Sequence, residues 1–255
     1  MPGFASYPSL KDRAVFVSGG GSGIGASIVE HLAAQGAKVA FVDIDEAASK
    51  ALLEKISGAG HPAPAFAKCD VRDIAAYQAT IAALAARLGD FTVLVNNAAR
   101  DDRHTIEEVT SAYWDERMNV NLRHQYFAIQ SVVPGMKKAG GGSIVNFSSV
   151  SYHAMAPKLS VYEGAKAAVV GMTRGLARDL GPDRIRLNII TPGWIMTQRQ
   201  IDLWLTPEAE VDLMKAQCLK EKVYPPDIAR MVLWLASDDS RMVTAQNFVV
   251  DGGRM

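Results

Sequence analysis

Ser18-Gly19-Gly20-Gly21-Ser22-Gly23-Ile24-Gly25 (SGGGSGIG) lies between a short apolar run, AVFVS at 14–18, and a segment of helical spacing at 23–35. In that segment Ile24, Ile28, Val29 and Leu32 share one helical face. Strand, glycine-rich turn and helix form the arrangement in which a backbone turns tightly and approaches a pyrophosphate closely. The helix then offers unpaired N–H groups and its positive dipole end to the phosphates. A carboxylate stands at the matching distance: Asp43, 18 residues beyond Gly25, ends the next apolar run, KVAFVD. A carboxylate there accepts hydrogen bonds from both ribose hydroxyls of an adenosine and repels a 2′-phosphate. The expected cofactor is therefore NAD rather than NADP. Asp45 is the competing reading, as a helix N-cap. Asp70, after the third strand, is the analogous residue for the adenine edge.

Outward from this stretch, strand-like and helix-like segments alternate to the end of the chain. Strands are expected at 14–18, 38–43, 63–69, 92–95, 143–147, 186–190 and 247–250. Helices are expected at 23–35, 46–57, 73–88, 111–138, 161–180 and 226–237. The strands are apolar throughout rather than alternating, as a sheet covered on both faces requires. The segment 192–225 breaks the rhythm. It has no clear strand, carries Trp194 and Trp204, and reads as a substrate loop or lid within a single domain spanning 1–255. Lys plus Arg and Asp plus Glu are both 27, so no basic excess suggests nucleic acid or an anionic membrane as partner. No apolar run is long enough to span a bilayer, and residues 1–9 do not read as a signal peptide. Cys69 and Cys218 are isolated, which suggests neither a disulfide framework nor a metal site. A cytoplasmic protein is expected.

Tyr162-Glu163-Gly164-Ala165-Lys166 opens a helix, and positions i and i+4 share a face. A tyrosine with a reference pKa of ~10 is a poor base near neutrality. An ammonium one turn away favours the phenolate and is expected to lower that pKa. Ser149, directly after the strand SIVNF, stands 13 residues upstream and is placed to hydrogen-bond the same substrate oxygen.

With these residues in place, the chain resembles the short-chain dehydrogenase/reductase family along essentially its whole length. The matching motifs are SGGGSGIG at 18–25, CDV at 69–71, NNAA at 96–99 and Asn121 in NVNL. To these are added SS at 148–149, Tyr162-x-x-x-Lys166, PG at 192–193 and VDGG at 250–253. Ser18 stands where the family usually has Thr, and Ala99 adds a methyl where NNAG is usual. The resemblance implies a Rossmann fold with a doubly wound, seven-stranded parallel sheet of order 3-2-1-4-5-6-7 and helices on both faces. It also implies a homotetramer and a catalytic tetrad of Asn121, Ser149, Tyr162 and Lys166. In that tetrad Tyr is the acid/base, Ser orients the substrate oxygen, Lys lowers the Tyr pKa and holds the nicotinamide ribose, and Asn positions a relay water. The cofactor contacts it implies are Gly19, Gly21, Ser22, Gly23, Ile24, Gly25, Asp43, Ile44, Asp70, Val71, Asn97, Ala98, Ala99, Tyr162, Lys166, Pro192, Gly193, Ile195 and Thr197. No metal is implied.

Further stretches look like the bacterial NAD-dependent D-xylose 1-dehydrogenases. They include Asp101-Asp102-Arg103-His104, Tyr113-Trp114-Asp115-Glu116-Arg117 and Pro134-Gly135-Met136-Lys137-Lys138. This resemblance implies oxidation of a free aldose at C1 to the aldonolactone. The alternative is oxidation of a secondary alcohol such as a 2-keto-3-deoxy sugar acid, a polyol or a hydroxysteroid. Buried sugar hydroxyls need hydrogen-bond partners beside an apolar face. The substrate residues expected are Ser149, Tyr162, Arg100, Asp101, His153, Met155, Trp194 and Arg199, with Gln198 and Trp204 as further candidates. Glu163, beside the tyrosine, is expected to face a neighbouring subunit.

Overall fold

β1 (Ala14–Ser18) is buried over all five residues. Its alternate side chains enter two different cores: Val15 and Val17 pack on one face of the sheet and Phe16 on the other. The computed structural model describes residues 4–255. In it β1 is an interior strand, between β2 and β4, of a seven-stranded parallel sheet of order β3-β2-β1-β4-β5-β6-β7. The other strands are β2 (Lys38–Asp43), β3 (Ala65–Lys68), β4 (Val93–Asn96), β5 (Gly142–Phe147), β6 (Ile185–Pro192) and β7 (Asn247–Val250). α1 (Gly23–Ala34) and α10 (Pro225–Ala236) cover the first face, where Ile28, Leu32, Ile228 and Val232 are buried. On the other face, α3 (Ile74–Leu88) and α5 (His124–Lys138) bury Tyr77, Ile81, Ile129 and Val132. α7 (Ser160–Leu180) lies on the same side and buries Ala177 there. α2 (Glu46–Gly58) follows β2. No helix among the described residues is long and apolar enough to cross a membrane.

A polar rail runs through the sheet. Asn96 and Asn146 are register partners on β4 and β5. Asn96 Nδ2 donates to Asn146 Oδ1 (2.8 Å), and Asn146 Nδ2 donates to Thr173 Oγ1 on α7 (2.9 Å). Buried amides placed this way fix the strands and α7 in one relation, because any slip leaves them unpaired.

Three sequence expectations need adjusting. The third strand is four residues long, because Pro62 and Pro64 carry no N–H for the ladder. The helix expected at 111–138 is α4 (Ser111–Met118), a π-helical turn (Asn119–Arg123) and then α5. The segment after β6 holds two short helices. α8 (Gln198–Trp204) is N-capped by Thr197, and α9 (Pro207–Ala216) is capped by Thr206 with proline at its first position. One parallel bridge, Ile195 to Val223, ties the ends of that segment together.

Candidate active site

The carboxyl ends of the strands converge on one cleft of about 800 Å³. One end is the glycine-rich turn. A Cβ on Gly25 would lie 1.8 Å from the Gly19 carbonyl oxygen, so no side chain fits there. The turn is tied to the β4 loop on two sides. The Ser18 hydroxyl accepts from the Asn97 and Ala98 amides (3.2 Å each), and Asn97 Nδ2 donates to the Gly19 carbonyl (2.8 Å). The hydroxyl is what matters at position 18, and serine supplies it. His124, which sequence reasoning missed, is buried on α5, and its Nε2 bonds the Ala98 carbonyl (3.0 Å). Burial pushes its pKa down to about 3, so it is neutral and Nε2 carries the proton that this bond needs.

Asp43 and Asp45 have separate places. Asp45 caps α2 by accepting from Ala48 N–H (3.0 Å). Asp43 accepts from Gly21 N–H (2.8 Å) and Asp45 N–H (3.0 Å), which fixes its carboxylate at the rim of the glycine turn. The glycine-only cradle, the helix N-terminus behind it and the carboxylate beside it fit a dinucleotide. All the expected cofactor contacts border the cleft except Gly21 and Gly23, which shape the turn from behind. Gly23 has a left-handed φ of 55° and stands against the Thr197 methyl.

At the other end, Ser149, Tyr162 and Lys166 meet on the cleft wall. Lys166 is 1% exposed. Its Nζ donates to the Phe147 carbonyl (3.0 Å) and lies 5.6 Å from the Tyr162 ring centre. Burial pushes the Lys166 pKa down to about 7, against the opposing pull of Asp101. The Tyr162 hydroxyl is densely surrounded, and burial drives its pKa up. Asp101 adds to that rise, and the nearby Ser149 hydroxyl offsets only part of it. The expected lowering of the tyrosine by the lysine is not what this geometry gives: burial dominates, and the lysine nitrogen stands 5.6 Å from the ring centre.

The Asn121 side chain is anchored on backbone groups. Its Nδ2 donates to the carbonyls of Arg100 and Arg117 (3.0 Å each), and its Oδ1 accepts from Arg100 N–H (2.8 Å). Both donors are spent on backbone, so the side chain fastens the β4 loop to the π-helical turn.

The remaining wall is charged. Arg72 binds Asp70 and Glu116 (2.6 Å each), and Glu116 also pairs with Arg117. Asp102 receives Arg117, Arg100 (2.8 Å) and Arg199 (3.1 Å). Asp101 takes Arg199 (3.3 Å) and Gln200 Nε2 (2.8 Å), and Trp194 Nε1 donates to Gln200 Oε1 (2.9 Å). Of the expected substrate residues, Arg100, Asp101, Ser149, Tyr162, Trp194 and Arg199 border the cleft. His153 and Met155 do not, and Met155 is 84% exposed. The short helix α6 (Ser151–Ala154) presents Ser151 and Ala154 inward. Ala156 follows them, after a left-handed Met155 that turns its own side chain out. Gln198 and Trp204 are also absent from the lining. Trp204 packs under the Arg103 guanidinium at 4.3 Å. Gln200, Arg103, Glu116 and Arg254 border the cleft although the sequence did not single them out for it. The Thr197 cap, which orients α8, was the available signal for Gln200.

The glycine cradle, the strand-end cleft and the Ser–Tyr–Lys group define an oxidoreductase that uses a nicotinamide dinucleotide. A family model described as enoyl-(acyl carrier protein) reductase matches residues 19–254, and the chain belongs to the short-chain dehydrogenase/reductase family. It is 49% identical to D-xylose 1-dehydrogenase of Caulobacter vibrioides over 98% of both chains. It is also 49% identical to the probable galactose dehydrogenase GalD of Rhizobium meliloti, over 98% of this chain and 97% of that one. Among solved structures, 7α-hydroxysteroid dehydrogenase complexed with NADH and 7-oxo glycochenodeoxycholic acid superposes with a TM-score of 0.91 at 29% identity, covering 96% of each chain. A blue fluorescent protein from a metagenomic library, in complex with NADPH, gives 0.87 at 35% identity, covering 96% of this chain and 99% of that one.

Proposed function

We propose that this enzyme oxidises a free aldose at C1 to the aldonolactone with NAD. The observation that carries the substrate class is the pairing of the cleft arginines. Arg100 is held by the Asp102 carboxylate, and Arg199 by those of both Asp101 and Asp102, so the two cations that the sequence offered to a sugar acid are already paired. An anionic substrate that used Arg100 or Arg199 would have to break these pairs, whereas a neutral sugar finds donors and acceptors already fixed beside the Trp194 ring. The names of the relatives at 49% identity point to the same class. The Asp43 carboxylate at the cradle supports NAD over NADP, because a 2′-phosphate would face it directly.

A bound nicotinamide dinucleotide supplies the hydride acceptor. Within the chain, Tyr162 takes the proton of the anomeric hydroxyl as the C1 hydride leaves, and Ser149 hydrogen-bonds the same oxygen. Lys166 steadies the phenolate and is the next proton carrier inward. Asn121 holds the β4 loop against α4 while this occurs. The segment 192–225 acts as the lid, latched by Arg199 and Gln200 to Asp101 and Asp102. A cytoplasmic homotetramer is the proposed setting. The exposed Trp114 and Tyr126 on α4 and α5 support packing against another copy.

The test is initial rates of dinucleotide reduction, with NAD and NADP side by side. The panel holds free aldoses, the same sugars methylated at the anomeric oxygen, and 2-keto-3-deoxy acids. Activity with NAD on free aldoses that disappears on methylation is the expected result. Activity confined to the acids or to other secondary alcohols overturns the substrate class and leaves the fold and the cradle standing.

A further inference from the structure

Glu163 stands one residue past Tyr162, and the acid–base step does not use it. Its Oε1 accepts the Ala156 N–H at 3.0 Å. Ala156 belongs to the loop that joins Ser149 to Tyr162, and it borders the cleft together with Ala154, Pro157 and Leu159. That loop is costly to hold. Met155 (φ 50°) and Lys158 (φ 64°) are both non-glycine residues in the left-handed region, two such positions within four residues. Its other ties are to backbone groups: Ala156 N–H to the Ser151 carbonyl (3.2 Å), His104 N–H to the Lys158 carbonyl (2.9 Å), and an Arg103 contact to the Pro157 carbonyl (3.4 Å). Glu163 is the acceptor that α7 itself extends to the loop. Burial raises its pKa, and the bond from the Ala156 N–H opposes that rise.

We infer that Glu163 is a positioning residue. It pins the substrate-facing loop 154–159 to the helical turn that carries the Tyr162 hydroxyl, and so sets the distance between the reacting oxygen and the pocket wall. The assignment of this wall to the sugar rests on the reading above, whereas the pinning does not. Glu163 therefore acts through Ala156 and not on the reacting atoms.

The experiment compares Glu163→Ala and Glu163→Gln with the full-length wild type. In Glu163→Ala the KM for the best aldose rises about tenfold while kcat falls far less, the factor that corresponds to one lost ordered hydrogen bond. Glu163→Gln keeps an Oε1 acceptor and restores KM to near the wild-type value. The dinucleotide dissociation constant is unchanged in both. Independently of any substrate, exchange of the Ala156 amide hydrogen, followed by NMR, becomes about tenfold faster in Glu163→Ala and stays slow in Glu163→Gln. An Ala156 amide that exchanges equally slowly in Glu163→Ala overturns the inference. So does a Glu163→Gln variant as impaired as Glu163→Ala. If the wild type oxidises no aldose, the sugar reading fails and the exchange measurement still decides the role of Glu163.

Discussion

Asp101 and Asp102 are adjacent and both pair with Arg199, yet replacing them should have very different consequences. Asp102 also receives Arg117, whose side chain is 7% exposed, and Arg100, whose side chain is 53% exposed. In Asp102→Asn the buried Arg117 keeps Glu116 and the face of Tyr113 at 5.4 Å but loses its second carboxylate. A charge-assisted hydrogen bond to a nearly buried group contributes about 1.5–3 kcal/mol. The exposed pairs with Arg100 and Arg199 add only about 0–1 kcal/mol, because solvent screens them. The total, roughly 1.5–4 kcal/mol, corresponds to a fall in Tm of about 3–16 °C for a chain of this size. Asp101→Asn gives up a screened pair with Arg199, 45% exposed, and keeps an oxygen for Gln200. Its cost is below about 1 kcal/mol, or a few degrees. Thermal unfolding of the dinucleotide-free enzyme at neutral pH measures both. Burial pushes the Asp102 pKa up, but Arg100 and Arg117 outweigh it and hold the group low. Its contribution is therefore complete above the unfolded carboxylate pKa of ~4 and is lost as pH falls through the folded value. The gap between wild type and Asp102→Asn should shrink in acid. Equal losses from the two variants, or a larger loss from Asp101→Asn, would refute the assignment of Arg117 as the residue that makes Asp102 matter.

Tyr162→Phe should lower turnover by about 10²–10⁴, the usual worth of a positioned acid–base group, while dinucleotide binding by fluorescence titration stays intact. Gly25→Ala should weaken dinucleotide binding by about a hundredfold. The new Cβ, 1.8 Å from the Gly19 oxygen, must displace the turn by an ångström or more. Lys166 binds fewer protons folded than unfolded between about pH 7 and the unfolded lysine value. Over that window it makes stability of the dinucleotide-free enzyme rise with pH, by at most about 1.4 kcal/mol per unit. Lys166→Met should flatten that slope in denaturant titrations run from pH 7 to 9, and an unchanged slope would show that Lys166 is not the group responsible.

What was legible in the sequence is what local spacing encodes. The glycine turn, the apolar strands and the Tyr–Lys pair at i and i+4 depend on neighbours along the chain, and the strand order followed from the family motifs. What was not legible depends on distant groups. The π-helical turn at Asn119–Arg123 has no signature of its own. It accompanies the bonds between the Asn121 amide and Arg100, 21 residues away. His153 and Met155 looked like pocket residues because they follow Ser149. Their direction is set instead by one turn of helix and a left-handed residue. The shift of Tyr162 was expected to be downward because sequence displays charges and not burial. Glu163 was expected to reach a neighbouring subunit, and it is bonded to a loop of its own chain.

The chain of charges from Asp70 to Asp101 has a consequence for how this pocket changes over generations or under design. Four carboxylates (Asp70, Glu116, Asp102 and Asp101) are linked in turn by three guanidiniums (Arg72, Arg117 and Arg199), and Arg100 branches from Asp102. They come from the connections after β3, β4 and β6 and from α4. Substituting a linking member, Arg72, Arg117 or Arg199, strands a partner on a different element, so the effects of such changes will not add. A new sugar preference at Arg199 or Gln200 is therefore reached by compensated pairs of substitutions. Libraries that vary these loops one at a time will sample mostly the broken intermediates.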